Sequence, residues 1–458
     1  MKIKLFRAAL GLVLITIISA GVISFLLWRN HPKSNDRESI ELFKEVVAIV
    51  RQDYVEEVNP KKLMESAIAG MLASLDPHSA YMPADSFKEM RIQMSGEFGG
   101  LGIEISLKDN RLTVISPIED TPAFRAGIKA NDHIFKIDDK LTRGLSITDA
   151  VSRMRGEKGT RVTLTILREG SPKPLIFHLT RDIIKTRSLK SRTLEPGFGY
   201  IRLAHFQETT GPEFTKALKS LHEQNGGTIK GLIIDLRNNP GGLLNQAVEV
   251  ADHFIGEGFG NGLVVYTEGR IPTSRMKLTT KIGEKEPHYP IVVLINGGSA
   301  SAAEILAGAF QDHHRAVILG TQSFGKGSVQ SVIPLRDKAG LKLTTARYYT
   351  PSGRSIQAKG ITPDIIVNQI DMSKAVEQPD NHLRENDLEG KIAPTTSGHP
   401  APAVRKPPLE GPETKKTPLK EVHGPVLFGE LKSDYQLSRA MELLHGLDMM
   451  AQRSLPGR

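Results

Sequence analysis

GGSASAAEILAGAFQDHHRAVILGTQSFGKGSVQ, residues 297–330, packs a turn, an apolar helix, an apolar strand and a second turn into one stretch. That order is the signature of an α/β layer, in which strands are buried beneath helices. The first turn, Ser299-Ala300-Ser301-Ala302, sits at the mouth of the helix. The second holds Lys326 between Gly325 and Gly327. A serine hydroxyl is a poor nucleophile until a base takes its proton, and a lysine can be that base if its surroundings keep it neutral. Its reference pKa of ~10.4 must then fall by several units, which burial among apolar groups achieves. The same residues nearly spell a phosphate-binding loop after the strand AVILG. Gly327, however, stands where magnesium needs a Ser or Thr, and SVQSVIPL after it alternates as a strand where a helix is required.

Working outward, GYIRLAHF, GLIIDLR and PIVVLIN are further apolar runs, separated by helical patterns at Phe214 to Gln224 and Ala247 to Ile255. They complete an α/β core. Asp235-Leu236-Arg237-Asn238-Asn239-Pro240-Gly241-Gly242 ends one of these strands in a glycine turn. The backbone N–H groups of Gly241 and Gly242, with that of Ala302 at the helix start, suit an oxyanion hole. Gln330, on the same side of an extended strand as Lys326, suits a role orienting the amine. Each piece alone has a plain reading: a helix cap, a surface charge, a turn. His313 and His314 beside Asp312 read as a polar helix end, and no metal site is expected.

Phe98 to Thr180 has a different texture of short strands and turns, interrupted by one helical patch from Ile147 to Met154. It opens on Gly99-Gly100-Leu101-Gly102, whose amides can converge on a terminal carboxylate, followed by a strand from Ile103 to which a peptide can pair. With Ser116-Pro117, Thr121-Pro122-Ala123, Ala126-Gly127 and Asn131-Asp132-His133-Ile134 in place, this module resembles a PDZ domain.

The N-terminus carries Lys2, Lys4 and Arg7 before an uncharged run from Ala8 to Trp28. At about 1.5 Å per residue a helix of this length spans roughly the ~30 Å of bilayer hydrocarbon. The leading positive charges hold the N-terminus inside, which places the rest of the chain outside the cytoplasm. No A-x-A site follows, so an uncleaved anchor is favoured over a signal peptide. Apolar stripes at helical spacing follow (Leu42, Val46, Ile49, Val50; Leu63, Ala67, Met71, Leu75), split by Asn59-Pro60. Gln378 to Val422 is rich in Pro, Lys, Glu, Thr and Gly and is expected to lack structure. A helical stripe returns through Tyr435, Leu437, Met441 and Leu444.

Composition narrows the function classes. The 458 residues are 39% hydrophobic and 24% charged, with net charge +9 and no cysteine. That excludes disulfides, zinc-thiolate sites and cysteine nucleophiles. No run of basic residues interleaved with aromatics supports nucleic-acid binding.

Taken together, DLRNNPGG, INGGSASAAEILAGAFQD, FGKGSVQ and TTARYYTPSGRSIQAKGITPDI resemble the carboxyl-terminal processing, or tail-specific, serine proteases. The resemblance implies a crotonase-like α/β protease core with an inserted β-rich PDZ domain. It implies Ser301 rather than Ser299 as nucleophile, Lys326 as base, Gln330 as its partner, and Gly241, Gly242 and Ala302 as oxyanion donors, with no cofactor. The PDZ groove, Gly99 to Ile103, would take apolar C-termini of protein substrates. The expected division is a membrane anchor (1–30), a helical region (37–96), the PDZ domain (97–183), the protease core (184–370), a structureless linker (371–426) and a C-terminal helix (427–450). This makes a serine endopeptidase anchored by a single span in the inner membrane with its catalytic domain in the periplasm. A delivering adaptor and self-association remain open. The non-enzymatic alternative is a PDZ scaffold or chaperone without turnover. A third reading has the PDZ domain displace Lys326 or Gln330 at rest, with Arg168 as its sensor.

Overall fold

The computed structural model describes residues 34–108, 111–256, 259–371, 376–377, 383–392, 429–431 and 433–454. The chain divides into two compact units, Met1–Met71 and Leu72–Arg458. In the first lie α1 (Ser34–Asp53) and most of α2 (Pro60–Ala73). Asn59 caps α2 through Oδ1, which accepts the Lys62 amide at 3.1 Å, and Pro60 takes the first helical position, where no N–H is needed. Leu42, Val46 and Ile49 of α1 are exposed. Among the described residues no helix is long and apolar enough to cross a membrane. The run Ala8–Trp28, expected as an anchor, lies outside the described residues.

The second unit opens with β1 (Ala80–Met82) and α3 (Ala84–Ser95). Gly96 ends α3 in the left-handed conformation, φ 72°. Then come β2 (Glu97–Gly100), β3 (Ile103–Lys108), β4 (Arg111–Pro117), α4 (Pro122–Arg125), β5 (His133–Ile137), β6 (Lys140–Leu141), α5 (Ile147–Met154), β7 (Arg161–Leu167), β8 (Leu175–Thr180) and β9 (Asp182–Lys185). Strands order β3-β4-β5-β7-β8, with β6 on β5. Alternate residues Leu112 and Val114, Ile134, and Val162, Leu164 and Ile166 point into one small core. β2 pairs antiparallel with β9, so the strands entering and leaving this module are zipped together.

The larger core holds β10 (Leu189–Glu195), β11 (Phe198–Leu203), α6 (Thr210–Gln224), β12 (Gly231–Asp235), α7 (Leu244–Asp252), β13 (Leu263–Gly269), β14 (Met276–Thr279), β15 (Ile291–Ile295), α8 (Ala302–Asp312), β16 (Val317–Gly320), β17 (Ser328–Pro334), β18 (Gly340–Tyr349), β19 (Ile365–Ile366) and α9 (Tyr435–Ser454). The main sheet runs β10-β11-β12-β15-β16-β19, parallel from β11 onward. Every residue of β12 and β15 is buried, because helices cover both faces. On one face Phe214, Val250, Ile305 and Phe310 meet Leu232, Ile234, Val293 and Ile295. On the other, Leu437, Met441 and Leu444 of α9 meet Tyr200, Ile233, Val292 and Leu294. A second sheet orders β1-β18-β13-β14, and β17 pairs with β18.

α9 is also locked by charge. Arg237, fully buried just after β12, bonds Asp235 Oδ2 at 2.7 Å and Asp434 Oδ2 at 2.6 Å, and Nη1 reaches Gln436 Oε1 at 3.1 Å. Tyr200 Oη donates to Asp235 at 2.8 Å. Within the stretch expected to lack structure, Leu383–Ile392 is folded, with a helical turn at Glu385–Asp387 and Glu385 fully buried. Polar side chains from the core satisfy that carboxylate, which composition alone does not reveal.

Removing one partner strands the other buried charge, which typically costs about 3–5 kcal/mol. Asp434→Ala is therefore expected to destabilise the core by that order in denaturant unfolding and to open α9 to limited proteolysis. An unchanged midpoint would contradict this account of the network.

Candidate active site

Ser301 occupies the N-terminus of α8 with φ 54° and ψ −116°, a conformation side chains rarely adopt. Such strain costs of order 1–3 kcal/mol and persists only where the surroundings enforce it. Here the surroundings are Glu304, one turn on, whose buried carboxylate accepts the Ser301 amide at 2.8 Å. The same carboxylate accepts the Lys326 amide at 2.9 Å, the Gly325 amide at 2.7 Å and the Ser323 hydroxyl at 2.5 Å. One side chain therefore fastens the serine turn to the lysine turn. Phe324 N adds a bond to Ser299 O at 3.0 Å. Burial pushes the Glu304 carboxyl up to about 7, against the pull of these four donors.

The two serines of the first turn differ in their bonding. Ser299 is fully buried, donates to Leu236 O at 2.8 Å and accepts the Asn296 amide at 3.0 Å, so its hydroxyl is spent on structure. Ser301 is only half-buried, and burial pushes the nearby Tyr348 phenol up to about 12.

The glycine turn after β12 reaches the same place. Ala300 N donates to Asn239 O at 2.9 Å, docking the loop on the serine turn. A Cβ on Gly241 would stand 2.8 Å from Ala300 O and from Ser301 Cβ, so only glycine permits the approach. The Gly241 amide itself is taken by Asn239 Oδ1 at 2.9 Å. Among the described residues, the Gly242 and Ala302 amides carry no hydrogen bond. Gly327 has a similar steric role: a Cβ there would stand 2.4 Å from Gln357 N. The glycines flanking Lys326 thus serve a tight backbone crossing.

Lys326 is half-buried, and its amine is drawn below the ordinary lysine value, first by burial and then by Lys342. Glu385, Glu304 and Asp76 oppose that shift. Among the described residues, no hydrogen bond joins Lys326 Nζ to Ser301 or Gln330. Gln330 Nε2 donates instead to Ser328 Oγ at 3.0 Å. Catalytic hydrogen bonds are often long without substrate and tighten when it binds.

In the β-rich module, Phe98, Gly100, Leu101, Gly102 and Ile103 face Val151, Met154 and Arg155 across a groove of about 110 Å³. Gly99 lies at its edge, its carbonyl accepting the Gly156 amide at 3.1 Å. Arg155 stacks 4.7 Å over the Phe98 ring and pairs with Glu89 of α3. Arg168 donates to Asp132 Oδ1 and Oδ2, both at 2.7 Å, and to Gly127 O at 2.8 Å, all within the module. A sensing role would require it to give up those partners. His313 meets the Leu263 carbonyl at 2.7 Å, and Asp312 Oδ2 accepts the Ser352 amide at 2.8 Å. Sequence reading passed over Glu304 and Tyr348. The spacing Ser301-x-x-Glu304, a capping-box pattern, was the available signal for the first.

Residues 197–367 match the model of peptidase family S41, residues 99–176 a PDZ domain, and residues 25–86 the N-terminal domain of the activating protease CtpB. The chain is 49% identical over 361 residues to a carboxy-terminal-processing protease of Bartonella bacilliformis, covering 79% of this chain and 82% of that one. It belongs to the carboxy-terminal processing proteases, serine peptidases of family S41. It is also 35% identical over 342 residues to carboxy-terminal processing protease CtpB of Bacillus subtilis, covering 74% of this chain and 70% of that relative. A 38% identical relative over 329 residues is a carboxyl-terminal-processing protease of Synechocystis, covering 70% of this chain and 75% of that protein. As a member of this family with a PDZ domain, the chain acts on protein substrates.

Glu304→Ala would leave three backbone amides without their acceptor, at about 1–3 kcal/mol each where they stay buried. The expected outcome is a lowered unfolding midpoint together with a fall in kcat larger than any change in KM. Wild-type kcat in a folded variant would refute the clamp.

Proposed function

We propose that the protein cleaves peptide bonds with a serine–lysine dyad. Ser301 attacks the substrate carbonyl, Lys326 takes its proton and returns it to the leaving amine, and water releases the acyl-enzyme. The observation that carries this reading is Glu304, which holds the amides of Ser301 and Lys326 on one carboxylate. The oxyanion is met by the Gly242 and Ala302 amides, with Gly241 supplying the close backbone approach. Gln330 orients the Lys326 amine once it leaves Ser328. The PDZ groove, apolar through Leu101, Ile103, Val151 and Met154, captures apolar C-terminal tails of substrates. The Ala8–Trp28 run and the charges before it support a single-pass anchor in the inner membrane, with the catalytic domain in the periplasm.

The test is cleavage of an unfolded, apolar-tailed protein by the full-length chain. Ser301→Ala and Lys326→Ala should each lower kcat by at least about three orders of magnitude. A working base must be neutral, so kcat/KM should fall toward acid, with a midpoint below the ordinary lysine value because burial depresses Lys326. Undiminished cleavage by Ser301→Ala would overturn the assignment.

A further inference from the structure

Leu383–Ile392 returns to the core beside the lysine turn. Arg384 Nη1 donates to Gln322 Oε1 at 3.1 Å, and Glu385 N donates to Phe324 O at 3.2 Å. The segment closes on itself as Lys391 Nζ donates to Asn386 Oδ1 at 2.7 Å. Glu385 points inward and has no solvent exposure. Its Oε2 lies 2.7 Å from His78 Nε2, and its Oε1 accepts Gln357 Nε2 at 2.9 Å. Gln357 Oε1 in turn accepts the Gly327 amide at 3.0 Å, so the segment is wired to the residue next to Lys326.

We propose that Leu383–Ile392 is an internal strap that restrains the protease by setting the Glu385 carboxylate against Lys326. This rests on the reading of Lys326 as the general base. Besides burial, the charges that act on that amine are Lys342 from β18, Glu385 from the strap, Glu304 from α8 and Asp76 from the turn before β1. Glu304 is pinned by its four donors. Asp76 is pinned by the amides of His78 and Ser79, both at 2.8 Å, and by the hydroxyls of Ser79 and Thr344. Asp76 is tied to β18 through Thr344, whereas Glu385 is carried on a separate segment that docks on the core. A carboxylate beside a lysine favours the ammonium, which cannot accept the serine proton. Burial opposes ionisation of Glu385, but the His78 and Gln357 hydrogen bonds outweigh it and keep the carboxyl below its usual range. The docked strap therefore presents a charged group. Lifting it leaves Lys342 acting on Lys326 with one fewer carboxylate in opposition.

The experiment is the pH dependence of kcat/KM for an unfolded protein substrate, using the full-length chain from about pH 6 to about pH 10. Glu385→Gln should move the acid limb to lower pH and raise the neutral-pH rate, about tenfold for each unit moved. Arg384→Ala, which removes the bond to Gln322 and so loosens the strap that carries an intact Glu385, should move both in the same direction to a lesser extent. A limb that stays in place or moves to higher pH in Glu385→Gln overturns the proposal, as does a rate lowered equally at every pH, which would mark a mere brace. If Glu385→Gln does not fold, Arg384→Ala decides: a raised rate supports the strap and an unchanged or lowered rate overturns it. Lys326→Ala separates the two claims. Activity in that variant defeats the dyad itself, whereas an inactive Lys326→Ala with an unmoved Glu385→Gln limb defeats the strap alone.

Discussion

The candidate site hangs on the Glu304 carboxylate. It comes from the first turn of α8 and accepts donors from both the serine turn and the lysine turn. Desolvation makes such a group expensive, and four donors are what makes it tolerable. The strained backbone of Ser301 depends on the same bonds, since a residue at φ 54° relaxes unless its amide is held. Position and strain at Ser301 are thus two effects of one buried acid.

A second buried cluster, Asp235, Arg237 and Asp434, does for the chain what Glu304 does for the site. Arg237 sits in the loop that continues to Asn239 and Gly241, and those residues abut Ala300 and Ser301. The end of the chain thereby reaches back to brace the glycine turn. α9 contributes Leu437, Ala440, Met441 and Leu444 to the covered face of the sheet. Each fully buried leucine adds about 1.5–3 kcal/mol. Charge sets the register of the helix, and apolar burial supplies most of its hold.

Much of this was legible in the sequence for local reasons. Apolar runs gave the buried strands β12 and β15, and alternation gave the strands of the β-rich module. The serine turn and Lys326 could be singled out because glycines and a helix start flank them. The rest depends on distant segments meeting. Glu304 looks like any acidic residue in a first helical turn until residues 323–326 arrive. Asp434 looks like a cap until Arg237 is found beside it. Strand period placed Lys326 and Gln330 on one side, yet β17 begins only at Ser328, so the period does not extend back to the lysine. Glu385 was hidden by its neighbours, because a polar stretch gives no hint that one carboxylate will find His78 and Gln357.

The β2–β9 zipper that joins the PDZ module to the core has a mechanical consequence. A domain hung on a single linker sweeps a wide volume, and what it holds is diluted across that volume. Two paired strands remove most of that freedom and leave twisting or bending about one short stem. A peptide tail held in the groove would then stay within a few domain radii of Ser301, at an effective concentration set by the stem rather than by the surrounding solution. Stiffening or lengthening the stem would tune how long a chain held in the groove remains in reach of Ser301, with no contact to that chain altered.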